Sequence, residues 1–446
     1  MRRTRLLARL LLVTLLCASS SFASAVAATN AEPRFHLQAI EVRGTRHASS
    51  GVVVAASLLE TGRVYTESEL RDAVRRVDRL PFVLAADLAL ERGRERGTYV
   101  LVLDVREARP FFFEAGLTAN AFDEPLALDD DNLHATDLDR SNLTATATVG
   151  ARAFLGRYGT LFAAAGDAGV RLGFTHYRLF GRNLFLSLGL SETICCPTDV
   201  PPLGLDPAYG AWVDRGGARR ASLTLGAPFA DHQALRARVA LSTGDEGVRR
   251  PVLGDDARFV GGSFDYRGRT QHEVQLAWLY DTTDDPLFPF AGSSLVVALD
   301  ARSLDADVVG AAPSAMHSDM VRLSVLGRRH WPVADRHAFA AGLSLAAGRS
   351  EVENLPGERR GGAFDVWELG ATIRHTMRLH EAKTAPAFRK LYWVSELRVS
   401  VQDTSSGFGP AYDPLEVAVV SSSVVWRSDW GTVRVGVRWV DVGDVL

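Results

Sequence analysis

Beyond residue 110 the chain alternates apolar and polar positions in one segment after another of about ten residues. In the last of them Val433, Val435, Val437 and Trp439 are separated by Arg434, Gly436 and Arg438. Side chains alternate across a strand, so one face there is greasy and the other cationic. In 391–402, Leu391, Trp393, Leu397, Val399 and Val401 oppose Tyr392, Glu396, Arg398, Ser400 and Gln402. In 270–281, Val274, Leu276, Trp278 and Tyr280 oppose Glu273 and Gln275. The pattern predicts strands over 111–119, 143–154, 160–166, 169–179, 184–193, 218–227, 234–243, 270–281, 292–302, 319–331, 337–348, 367–378, 391–402, 415–426 and 432–440. Tight links at 180–183 and 428–431 alternate with long ones at 120–142, 194–217, 244–269, 303–318 and 349–366. No apolar run long enough for a transmembrane helix breaks the series.

This is the pattern of a transmembrane antiparallel β-barrel, apolar side to lipid and polar side to a lumen. A charge on the lipid face costs roughly 2–4 kcal/mol at mid-depth. Arg398, Arg434 and Arg438 are therefore expected in the lumen. Bacterial single-chain barrels have even strand numbers, so the expected total is about 16. The series above is odd, so either one element in it is split or merged, or 432–440 resembles a penultimate strand and the C-terminus is truncated or divergent.

The front of the chain reads differently. Residues 1–28 carry Arg2, Arg3, Arg5 and Arg9, a short apolar core from Leu10 to Leu16, and small residues around Ala23-Ser24-Ala25. These are the parts of a secretory signal peptide. Residues 29–109 then predict one small β-α-α-β-β domain, and 110–446 the barrel. Leu37 to Val42 forms a first strand, and Ser49 to Leu59 a helix stopped by Gly62. Thr66-Glu67-Ser68-Glu69 is a capping box opening a second helix, with Leu70, Val74 and Val77 on one face. Pro81 ends it, and strands over Val83–Glu91 and Thr98–Arg106 follow.

Several stretches of this domain, namely Ile40-Glu41-Val42-Arg43-Gly44, Gly62, Leu80-Pro81-Phe82-Val83 and Leu101 to Glu107, together resemble a POTRA domain. The resemblance implies a periplasmic module that takes up extended polypeptide by strand addition, or else only spaces the barrel from the cell wall. Tyr280 to Gly292 resembles the D-T-R-D-x-P-x-x-P-x-x-G periplasmic turn of the POTRA-barrel superfamily (BamA, TamA, the bacterial surface antigens). The matching residues are Asp281, Asp284, Pro286, Pro289 and Gly292, with Thr283 where Arg is usual. Leu355 to Phe364 falls where that superfamily folds a loop carrying V/I-R-G-F/Y into the lumen. Arg360-Gly361 fits, Arg359 stands in the aliphatic place, and the aromatic is displaced to Phe364. The resemblance implies that Arg360 meets Glu368 or Glu396; the alternative is a surface loop with two solvated arginines.

Composition narrows the function. Loss of the four leader arginines takes the formal charge from −3 to −7, which argues against a nucleic-acid protein. Lysine occurs only at Lys383 and Lys390. Cys195 and Cys196 are adjacent with no histidine pair nearby, so no metal site is expected; they form a vicinal disulfide or stay as thiols. The acidic stretch from Asp123 to Asp139 matches no calcium loop and is expected to be a solvated outer loop. No Gly-x-Ser-x-Gly elbow, HExxH or phosphate loop is present, so neither enzymatic activity nor a cofactor is expected. What the resemblance implies is an outer-membrane assembly or insertion factor, its first domain in the periplasm. Its partners would be outer-membrane lipid, an unfolded client polypeptide and accessory periplasmic or lipoprotein subunits. The alternatives are a two-partner-type secretion pore and a passive channel.

Overall fold

The structure, a computed structural model, describes residues 32–122, 143–153, 158–166, 169–193, 212–215, 218–230, 232–244, 247–251, 264–285, 288–309, 314–353, 362–381, 390–406 and 415–444. The expected leader, Cys195, Cys196 and the acidic stretch 123–142 lie outside the described residues.

The N-terminal domain contains β1 (Arg34–Arg43), α1 (Ser50–Ser57), β2 (Val64–Thr66), α2 (Glu67–Asp78), β3 (Val83–Arg92) and β4 (Thr98–Glu107). Its four strands lie in the order β2-β1-β4-β3, with β1 parallel to β4 and the other pairs antiparallel. Both helices cover one face, and Leu37, Val52, Val53, Leu70, Val77, Leu101 and Leu103 form the core between them and the sheet. The capping box is present: the Thr66 hydroxyl accepts the Glu69 N–H at 3.3 Å, and the Glu69 carboxylate accepts the Thr66 N–H at 2.6 Å. Gly44 stands at φ +85°, and a Cβ there would lie 2.1 Å from the Val105 carbonyl, so this position of the sequence motif has to be glycine. The expected β-α-α-β-β order gains β2, three residues paired with Arg34–His36 and too short to show a period.

The barrel strands are β5 (Phe111–Phe122), β6 (Leu143–Ala153), β7 (Gly159–Gly166), β8 (Gly169–His176), β9 (Phe185–Thr193), β10 (Trp212–Arg215), β11 (Ala218–Ala230), β12 (Gln233–Gly244), β13 (Gly247–Pro251), β14 (Phe264–Asp281), β15 (Gly292–Val309), β16 (Ser314–Ala334), β17 (His337–Glu353), β18 (Gly362–Glu381), β19 (Lys390–Ser406), β20 (Leu415–Arg427) and β21 (Gly431–Asp444). Neighbours in the chain pair antiparallel. Of the 17 strands, the short β10 and β13 only prolong the β11–β12 hairpin, which leaves a closed barrel of 15. The antiparallel barrel expected with about 16 strands has 15. Closure needs no further strand, because β21 pairs parallel with β5 from Gly431↔Phe113 to Val440↔Phe122. An odd up-and-down series brings its first and last strands round in the same direction, so a parallel seam is the only way it can close.

Leu172, Leu190, Leu223, Val274, Leu276, Val321, Leu345, Ile373, Trp393, Val435 and Val437 stay exposed on the outside of the cylinder. A surface this apolar suits hydrocarbon and not water. Glu273, Asp300, Glu368 and Ser400 are buried on the inner side. Wall height is uneven. Both β7 and β8 are 8 residues long, whereas β16 has 21. At about 3.3 Å per residue and a tilt near 40°, eight residues rise only about 20 Å.

Candidate functional site

The site is the barrel mouth on which the N-terminal domain sits. Its centre is the turn between β14 and β15, where the sequence places Asp281, Asp284, Pro286, Pro289 and Gly292. Asp281 Oδ1 accepts the Thr283 N–H at 2.9 Å and its hydroxyl at 2.7 Å. Asp284 Oδ1 accepts three backbone N–H groups, from Asp285 (3.0 Å), Phe290 (2.8 Å) and Ala291 (3.1 Å). These bonds absorb the donors that a turn leaves without strand partners. Gly292 has φ +104°, and a Cβ would come within 2.4 Å of the Thr282 carbonyl, so the return to the sheet needs glycine. Pro289 lies between Phe288 and Phe290; Pro286 is outside the described residues.

The turn folds inward. Phe288 and Phe290 are buried with Ala338, Tyr392, Val394 and Val425 from strands far along the chain. Phe288 stacks on Tyr392 at 4.4 Å between centroids, and the Arg378 guanidinium lies 4.6 Å over the Phe290 ring. Asp285 fastens the far side of the turn to Arg427 at 3.0 Å. This aromatic cluster narrows the lumen at the domain end. Its only sequence signal is Phe288-Pro289-Phe290, two aromatics spaced to share one face.

The same turn receives the N-terminal domain. Arg79, the C-cap of α2, donates to the Asp281 carbonyl at 3.1 Å, to Asp281 Oδ1 at 3.1 Å and to the Thr283 carbonyl. Asp72 on α2 meets His232 between β11 and β12 at 3.4 Å. Tyr158 and Tyr177 pack on the domain's core, with Tyr177 edge-on to Phe82 at 6.2 Å. Four links between barrel strands thus touch the domain, all at one rim.

The lumen wall carries arginine–carboxylate pairs that cross an intervening strand. Arg322 on β16 reaches Glu368 on β18 at 2.6 Å, over Gly348 and Ala346 of β17. Arg220 on β11 reaches Glu273 on β14 at 2.7 Å, over Ser242 and Ala240 of β12. Small residues on the middle strand leave room for the guanidinium in both cases. Glu396 has Arg328 at 3.9 Å. The two carboxylates assigned by resemblance to Arg360 are thus each engaged by a strand arginine. Arg359, Arg360 and Gly361 lie outside the described residues, and Phe364 falls in β18.

On the domain, β3 is an edge of its sheet. Gly93 donates to the Thr98 carbonyl at 2.9 Å, so its N–H points toward β4. Antiparallel pairs alternate, so Ala86, Leu88, Leu90 and Arg92 turn their N–H and C=O away from β4. The Ala86 N–H is taken by Asp78 Oδ1 at 2.5 Å. Burial pushes the Asp78 carboxyl up to about 6, against the pull of that hydrogen bond.

No family model matches the chain, and no curated protein matches it. Solved structures similar to it include BamA from Haemophilus ducreyi lacking POTRA domains 1–3, at 11% identity, TM-score 0.44, covering 92% of this chain and 81% of that one. CdiB from Escherichia coli shares 12% identity at TM-score 0.47, covering 88% of this chain and 70% of that one. CdiB from Acinetobacter baumannii shares 10% identity at TM-score 0.39, covering 91% and 74%. The chain's own geometry defines its class: a transmembrane β-barrel with a POTRA-like α/β domain seated on one mouth.

Proposed function

We propose that this chain is an outer-membrane POTRA-barrel protein of the BamA and TamA type, which receives polypeptide in the periplasm and aids its insertion into or passage across the membrane. The observation that carries the reading is the juxtaposition of an open sheet edge, β3, with a barrel mouth to which the same domain is fastened through Arg79. An extended client paired to that edge is held beside the membrane with no nucleotide needed. The low wall at β7 and β8 supports the insertion role. At about 20 Å it falls short of the ~25 Å apolar band usual in such barrels, so the bilayer is expected to thin against it.

The test uses the purified full chain in liposomes with a urea-unfolded eight-stranded outer-membrane barrel as substrate. Folding of that substrate, read by its heat-modifiable gel mobility, is expected to be faster than in empty liposomes of the same lipid. Equal rates, together with unchanged outer-membrane protein content on depletion in the host, would remove the reading.

A further inference from the structure

Among the described residues, the edge of β3 is open along only part of its length, and its closed part is the end nearer the barrel. Val83, where the strand starts, pairs with Glu107 just before the barrel begins, and Arg92 lies at the far end. Among the outward-facing donors, that of Ala86 is bonded by Asp78. Those of Leu88, Leu90 and Arg92 follow, and their side chains alternate with Asp87, Ala89 and Glu91 on the face away from the helices. Asp87 stands directly opposite Asp104 of β4, both exposed. Like charges facing each other across a pair are unfavourable, and a cation placed on the third strand would relieve them. Glu91 adds a further carboxylate on the same face, held by Arg43 at 2.9 Å.

We propose that the edge of β3 from Asp87 to Arg92 takes an extended polypeptide bearing Arg or Lys at the position facing Asp87, and that Asp78, by holding the Ala86 N–H, fixes where the pairing stops. This rests on the client-receiving role proposed above and names the chemistry of the client and the residue that sets its register. The arrangement ends the added strand short of the mouth. Asp78 is followed immediately by Arg79, so the residue that closes the edge adjoins the residue that grips the turn. A segment of the kind recognised is present in this chain: residues 431–440 of β21, with Arg434 and Arg438 on one face and Val433, Val435 and Val437 on the other.

A peptide of residues 431–440 serves as the probe, added to the full chain in detergent, with amide-resolved hydrogen exchange as the readout. The peptide is expected to slow exchange at Leu88, Leu90 and Arg92 by about tenfold and to leave Ala86 as it was. In Asp78→Ala, Ala86 is expected to exchange faster without peptide and to become protected with it. Asp78→Asn keeps an acceptor and is expected to behave as the parent; unchanged protection of Leu101 and Leu103 shows that the variants are folded. A peptide with glutamate at both arginine positions is expected to bind roughly threefold or more weakly. Peptide protection that reaches Ala86 in the parent, or that covers the same amides in Asp78→Ala, overturns the role of Asp78. Equal binding of the glutamate peptide overturns the charge preference. No protection anywhere on β3 removes the client-receiving reading itself.

Discussion

Two carboxylates of the soluble domain are driven in opposite directions by their surroundings. Asp78 is raised to about 6, by burial first, then by Asp87 and Asp285, against the Ala86 N–H and Lys390. Its ordinary value is 3.8, so the folded domain binds more protons than the unfolded one between these two values. Stability is therefore predicted to fall as pH rises from about 4 to 6 and to level off above, by about 1 kcal/mol, because the Asp78 side chain is itself exposed at the surface and solvent screens it. Asp78→Asn should flatten that slope in a pH series of thermal unfolding; an unchanged slope would show that Asp78 is not its source. Burial would raise Glu107 too, but it accepts from the N–H groups of His47 (2.9 Å) and Ala48 (2.8 Å) and from Arg46, and the net shift is downward. Its contribution is present above the ordinary carboxylate range and is lost as pH falls through its lowered value. Glu107 was legible in the sequence as the end of a motif and Thr66 as a cap, because each partner lies at a fixed offset or in a known pattern. Asp78 was not, since its partner lies across a chain reversal that the helical period does not describe.

At the level of elements, the C-terminus of α2 and the turn after β14 act as one joint. Arg79 is the link: it takes two carbonyls and a carboxylate of the turn. Arg79→Ala is predicted to loosen the domain from the mouth, read as faster hydrogen exchange at Thr283 and over residues 72–79. A double-mutant cycle with Asp281→Asn should give a coupling of about 1 kcal/mol, modest because both side chains are partly exposed. Additive effects would mean that the two residues act separately. The turn was legible as a turn from its Asp, Pro and Gly, but its inward fold was not, because Tyr392 and Val425 reach it from strands more than a hundred residues away. All 15 barrel strands fall on the segments that alternation predicts. Their ends do not: β14 starts at Phe264 and β15 runs to Val309, beyond the predicted 270 and 302. Alternation marks only the apolar belt that meets lipid, while backbone pairing continues past it into water, where side-chain polarity is unconstrained. The short β10 and β13 were missed for the same reason.

For the whole molecule the parallel seam is the decisive feature, and an even-number rule applied to the sequence pointed away from it. The rule assumes that both ends of the barrel lie on one side of the membrane. Here β5 leaves the rim that bears the domain and β21 leaves the same rim, so their residues run in step: Ala115 beside Val433 and Ala119 beside Val437. All four share the apolar outer face. Cysteines at Ala115 and Val433, or at Ala119 and Val437, with Cys195 and Cys196 replaced by serine, are predicted to form disulfides, because paired strands bring Cα atoms into the range a disulfide spans. The crossed pairs, Ala115 with Val437 and Ala119 with Val433, are separated by several residues along the strands and are predicted to stay reduced. An antiparallel seam would reverse this outcome, and an open or differently registered one would give neither set. If the direct pairs form, either bridge should also hold the folded gel mobility to a higher temperature than the reduced form, since the seam is the one place where strands distant in sequence must find each other.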